Sequence, residues 1–181
     1  MAVAVDLYTV DHVIRGLLDT SGERLTDVLN AKTESALILR DAEVIRHLSL
    51  GKVPPLRLPL VRVEKERILF GIPVAERDIT HKSLYRRASR LVFEIVVLLP
   101  NFEVRGSIHL TERLDVRRVL VVRPEDYIPL TNATATFVLH PQVVVHAGTI
   151  VFNKRHVAAV GEPLGAESPG AGAPPAPPRP V

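Results

Sequence analysis

Residues 2–16 read AVAVDLYTVDHVIRG and residues 92–106 read VFEIVVLLPNFEVRG. Laid over one another without a gap, both end on Arg-Gly and both are two apolar stretches split by a turn-like break, a self-similarity that any fold assignment has to explain first. The match continues downstream. Arg24-Leu25 falls on Arg113-Leu114 once one residue is dropped. ALILRDAEV (36–44) then falls on YIPLTNATA (127–135), setting Leu39 over Leu130 and Ala42 over Ala133. Finally VEKERIL (63–69) falls on FNKRHVA (152–158), with Lys65 over Lys154. Four blocks in one order at nearly constant offset point to a duplication covering residues 2–73 and 92–162.

Alternation assigns strands within each copy. Val3, Val5 and Leu7 alternate, as do Phe93, Ile95 and Val97, and the second set runs into a continuous apolar stretch that predicts a strand covered on both faces. Further strands are expected at 12–19, 36–47, 58–64 and 67–73, with counterparts at 102–110, 127–139, 143–152 and 155–161. Between the second and third strands, Leu25, Val28 and Leu29 have helical spacing, Ser21-Gly22 can start the turn, and Asn30 can end it in the left-handed conformation. This short helix should plug one end of a small sheet. Gly16 and Gly106, inside strand patterns, predict a bulge or bend of the kind a barrel-like sheet needs.

The expected fold is therefore mainly β: two tandem, small, barrel-like β repeats with short helices in a pseudo-twofold arrangement, burying sheet faces against one another. Two segments stand outside the repeat. Residues 74–91 form a charged linker, in which a helix would line up Lys82, Arg86 and Arg90 on one side. Residues 163–181, rich in Pro, Ala and Gly without core-forming residues, are expected to be a disordered or extended tail.

Composition narrows the chemistry. The chain has 46% hydrophobic residues but no Trp, three Tyr and five Phe, so its core is aliphatic and suited to sheets. Absence of Cys removes disulfides, thiolate metal sites and a thiol nucleophile together. No basic, apolar leader opens the sequence, and the longest apolar run, 91–100, is broken by Glu94 and is shorter than a spanning helix needs. A cytoplasmic protein without membrane association is the default expectation. One Met, one Gln and four Asn fit a thermophilic source. The net charge of +3 mixes 20 acidic with 23 basic residues, too mild a balance to imply nucleic acid.

The string RLTDVLN (24–30), preceded by RGLL and followed by ALILRDA, resembles a bacterial domain family of unknown function. That family's pattern is a glycine-containing strand, R-L-S/T-D-x-L-N, an apolar strand ending L-T-D/N-A, and a V-N-K-like strand. The first copy keeps Arg24, Leu25, Thr26, Asp27, Leu29 and Asn30; the second keeps Ile128-Pro-Leu-Thr-Asn-Ala133 and Phe152-Asn-Lys154 but reads DVRRVLVV where D-x-L-N would stand. The resemblance implies no activity. At the level of fold alone, a bent glycine strand, a short turn and two closing strands also look like the small Sm-type barrel.

Candidate sites are few. His109, His140, His146 and His156 fall in the second copy, yet no pair has zinc-motif spacing, so no metal and no cofactor is expected. Asp27 and Asn30 read best as helix-end residues bonding local backbone. Arg86-Arg87-Ala-Ser89 with Lys82 and Arg90 could hold phosphate through guanidinium forks, although a solvated linker face is the plainer reading. The arginine run is similar to the start of the cyclic-dinucleotide-binding PilZ domain, whose D-x-S-x-x-G continuation is missing. No aromatic platform for bases, phosphate loop, nucleophile elbow or carboxylate pair stands out. The sequence thus leads to a noncatalytic protein-interaction or scaffold module whose partner is another protein or a second copy of itself. The alternative is a phosphate-bearing ligand or RNA bound by Lys82, Arg86, Arg87 and Arg90.

Overall fold

The computed structural model describes residues 1–49, 51–74 and 91–164. Its strands are β1 (Ala2–Tyr8), β2 (His12–Asp19), β3 (Ala36–Arg46), β4 (Leu56–Glu64), β5 (Phe70–Pro73), β6 (Leu91–Leu99), β7 (Phe102–Leu110), β8 (Tyr127–Phe137), β9 (Val144–Asn153) and β10 (Ala159–Gly161). One α-helix, α1 (Leu25–Asn30), interrupts them, with 3₁₀ turns at His47–Ser49, Lys65–Arg67 and Lys154–His156. The chain is mainly β, as its alternation requires. All ten strands belong to one antiparallel sheet in the order β10-β6-β7-β8-β9-β5-β1-β2-β3-β4.

Each half of that order is a five-strand unit with its fifth strand beside its first: β5-β1-β2-β3-β4 and β10-β6-β7-β8-β9. Corresponding residues occupy corresponding places. The β2–β3 register shifts between Arg15 and Leu17, and the β7–β8 register between Arg105 and Ser107, so each shift falls on the glycine. Opposite it, Asp41 (φ 49°) and Asn132 (φ 48°) take the left-handed conformation that Asp and Asn tolerate. A β-carbon on Gly16 would lie 3.0 Å from the Arg40 carbonyl oxygen and 3.1 Å from the Leu39 Cβ. On Gly106 it would lie 2.9 Å from the Ala133 Cβ and 3.1 Å from the Leu130 Cβ. The glycine and the L-x-x-A stretch that faces it are therefore two sides of one bulge, which bends the sheet where its strands approach closely.

The Lys at the matching place in each half also has a local reason. Lys65 Nζ donates to the carbonyls of Val28 (2.7 Å) and Ala31 (2.8 Å), tying down the C-terminal end of α1. Lys154 Nζ donates to the carbonyl of Arg123, at the end of the corresponding segment of the second half. That segment forms no α-helix. It makes a turn in which Val119 N–H donates to Asp115 O (2.8 Å) and the Val119 side chain is buried.

Four details differ from the expectations. The halves join edge to edge through β5 and β9 inside one continuous sheet rather than as two sheets, although Tyr8 and Val13 of the first half do pack against Phe102 and Phe137 of the second. β6 alternates, burying Phe93, Ile95, Val97 and Leu99 while Val92, Glu94 and Leu98 stay exposed, because only its inner face meets the core. The closing strands begin at Phe70 and Ala159, since the residues before them form the 3₁₀ turns. Asn30 is the last residue of α1 and takes no left-handed conformation. The left-handed residues Ser21 and Gly22 lie instead in the turn before the helix.

Two buried clusters result, and each borrows from the other half. The cluster of Val5, Leu7, Leu25, Leu29, Leu37 and Leu39 takes in Tyr127 and Val151. The cluster around Ile95, Val104, Ile128 and Phe152 takes in Tyr8, Phe70 and Ile72.

Candidate interaction surface

The joint between halves shows what an edge of this sheet can do. β5 meets β9 over two residue pairs, Phe70 with Phe152 and Gly71 with Val151. Asn153 N–H extends the pairing by donating to the Leu69 carbonyl at 2.8 Å. Across the sheet, Tyr8, Phe70, Phe152 and Ile128 make one buried row, with the Tyr8 and Phe70 rings stacked 4.3 Å apart.

Polar pins lock the joint. Asn30 accepts from Tyr127 N–H (2.9 Å) and donates to the Tyr127 carbonyl (2.9 Å) and to the Thr26 carbonyl (3.0 Å). The Tyr127 hydroxyl donates to the Lys65 carbonyl. Burial pushes that phenol well above its ordinary pKa, so it stays protonated and keeps donating. Asn153 Nδ2 reaches the Ile68 carbonyl at 3.2 Å. At the rim Asp126 holds Lys32 (2.7 Å) and Arg155 (3.0 Å), and the hydrogen bond from Lys32 lowers the carboxyl pKa most. Apart from Asn30, none of these residues was a candidate from the sequence. The signals in the sequence were Asn153 in the V-N-K-like motif, Lys65 in the repeat alignment, and Tyr127 as a polar-tipped residue at the end of an apolar strand.

The two outer edges have no such partner among the described residues. β4 pairs only with β3, and β10 only with β6. Along β4 the apolar residues Leu56 and Leu60 are 56% and 59% exposed, and Ile38 on the adjacent β3 is 44% exposed. Beside β10, Leu98 is 41% exposed. Pro59 lacks an N–H, and with Arg57 and Arg62 it blunts most of β4 against indiscriminate pairing.

A cleft of about 1430 Å³ opens between α1 and the 110–125 segment. Its lining includes Arg24 and Asp27 from the α1 side, Arg113 and Arg118 from the 110–125 segment, and the strand residues Val3 and Pro129. Four arginines and five acidic residues line it, so no single sign of charge prevails. His109 Nε2 lies 2.9 Å from Thr131 Oγ1, and both residues line the cleft. Of the other described histidines, His156 meets the Glu66 carbonyl, and His140 and His47 pack near Phe137. Among the described residues no group of three or more His, Cys, Asp or Glu could hold a metal ion. Nor is any described helix long and apolar enough to cross a membrane. Lys82, Arg86, Arg87 and Arg90 lie outside the described residues.

Comparison with protein-family models, with curated proteins and with solved structures returns no match for this chain.

Proposed function

We propose that this chain is a noncatalytic protein-interaction or scaffold module that binds through the unpaired ends of its sheet. The observation that carries the reading is the pair of single-sided strands, β4 and β10, each beside exposed apolar side chains. Backbone N–H and C=O groups on such an edge add a strand from a partner, and neighbouring apolar side chains give the contact its hydrophobic part. The two halves are read as copies of one ancestral unit, kept together because each supplies part of the other's core. The test is cross-linking of a captured partner, followed by mapping. Links at residues 56–64 or 159–161, with capture lost in Leu60→Asp, support the reading. Capture unaffected by Leu60→Asp, with links elsewhere, overturns it.

One observation favours a second reading, in which Lys82, Arg86, Arg87 and Arg90 bind RNA or another phosphate-bearing ligand. Pro73, one residue before the end of the 51–74 stretch, and Leu110, the pairing partner of Leu91, both line the cleft that carries Arg24, Arg113 and Arg118 alongside five acidic residues. RNA binding that falls steeply with added salt and is lost in the Arg86→Ala, Arg90→Ala double variant supports it; no binding at low salt discards it.

A further inference from the structure

The internal joint is head to tail: the fourth strand of the second half, β9, meets the fifth strand of the first, β5. The two strands left over are the fourth strand of the first half, β4, and the fifth strand of the second, β10. These are the same two kinds of edge that already join inside the chain. We propose that the partner of the sheet's free ends is a second copy of this chain, with β4 of one molecule pairing with β10 of the next in the register of the β5–β9 joint. The proposal rests on the interaction-module reading above and names its partner.

Residue equivalence fixes the register. Tyr8 pairs with Phe70 as Leu98 pairs with Ala159, and Phe152 pairs with Ile128 as Val63 pairs with Leu37. The buried row Tyr8–Phe70–Phe152–Ile128 therefore has a counterpart in Leu98–Ala159 of one copy and Val63–Leu37 of the next. All four are apolar. Val63 and Leu37 are already buried, whereas Leu98 and Ala159 are exposed, so one half of the row lacks the cover that its counterpart has. The adjoining pair would be Val160 with Arg62, matching Gly71 with Val151. Pro59 then falls where β9 has Gly148, beyond the two paired residues, and does not obstruct them.

The contact between copies must be weaker than the one within the chain. At the positions of Tyr127 and Asn153 the first half has Ala36 and Glu64, so the polar pins are missing. A reversible, concentration-dependent assembly follows. Because the contact is heterologous, repetition closes a ring or extends a filament, according to the rotation at each joint.

The chain contains no Cys, so engineered cysteines report without background. Two single variants, Arg62→Cys and Val160→Cys, are oxidised separately and as an equimolar mixture, and wild-type mass is followed by light scattering as concentration rises. The expected result is a disulfide-linked dimer in the mixture, little in either variant alone, and wild-type mass growing in whole multiples of the chain. Leu98→Lys, at an exposed position, should abolish that growth while leaving the far-UV spectrum and melting of the single chain unchanged. A dimer from Arg62→Cys alone, which means β4 against β4, overturns the proposal. So does a strict monomer whose Arg62→Cys, Val160→Cys double variant cross-links only within itself or not at all. In either case a different protein mapped to residues 56–64 would leave the interaction-module reading standing.

Discussion

A β-carbon at Gly106 would sit 2.9 Å from the Ala133 Cβ and 3.1 Å from the Thr131 carbonyl oxygen; at Gly16 the nearest atoms are the Arg40 oxygen at 3.0 Å and the Leu39 Cβ at 3.1 Å. Neither strand can yield without disturbing the bulge, so Gly106→Ala should cost about 1–3 kcal/mol by overpacking, and Gly16→Ala somewhat less. Urea unfolding of the two variants checks the order as well as the sign; equal stability to wild type would show that the close approach is not needed. Asn30 makes a sharper case, because its amide satisfies both backbone groups of Tyr127 from 97 residues away. Asn30→Ala leaves a part-buried N–H and C=O without their partner, a loss of about 1–3 kcal/mol for each group that water cannot reach. The same measurement should place Asn30→Ala below Asp27→Ala, since no side-chain hydrogen bond caps α1 at its start.

At the scale of elements, α1 is six residues long, too short to persist without tertiary support. Leu25 and Leu29 bury its inner face, and Lys65 holds its last carbonyls. Lys65→Met keeps most of the side chain's volume but removes both donors, so the end of α1 should fray and stability fall by about 1–3 kcal/mol. Faster amide exchange at residues 28–31, against little change in β7–β9, would locate the effect; uniform exchange would mean that the lysine does not act through the helix. The helix itself was legible in the 25, 28, 29 spacing, and so were most strands, because alternation depends only on which face meets the core. What the residues did not disclose was the mode of joining. Edge pairing uses backbone groups that every residue carries, and the pins on it, Tyr127 and Asn153, differ between the halves. β6 misled for a related reason: an apolar outer face at Val92 and Leu98 reads like a strand covered on both sides, whereas it stays exposed at one end of the sheet.

Over the whole molecule, neither core is complete without the other half. A chain ending at Val74 would lose Tyr127 and Val151 from its own core and leave Tyr8, Phe70 and Ile72 without the core they enter. It should melt well below the full chain or show no cooperative transition, and the full chain should unfold in one step by fluorescence and circular dichroism alike. Equal heat stability of the fragment would mean that the shared rows add nothing. The packing between the halves also predicts a pH dependence through His47, which packs against Tyr8, Phe102 and Phe137 and lies with Nε2 2.9 Å from the Thr9 carbonyl. Burial lowers its pKa below the ordinary 6.5, and nearby His12 lowers it further, while the Thr9 carbonyl and Asp11 oppose the shift. The unfolded chain therefore takes up this proton before the folded one does. The contribution is fully present above pH 6.5 and is lost as pH falls from there toward the folded-state value. In His47→Phe the ring remains but the titration does not. Melting temperatures of wild type and His47→Phe should thus run parallel above about pH 7 and converge in slope only below the folded-state pKa, with wild type falling more steeply between. Parallel curves throughout would remove His47 as the source and leave the aromatic cluster as packing alone.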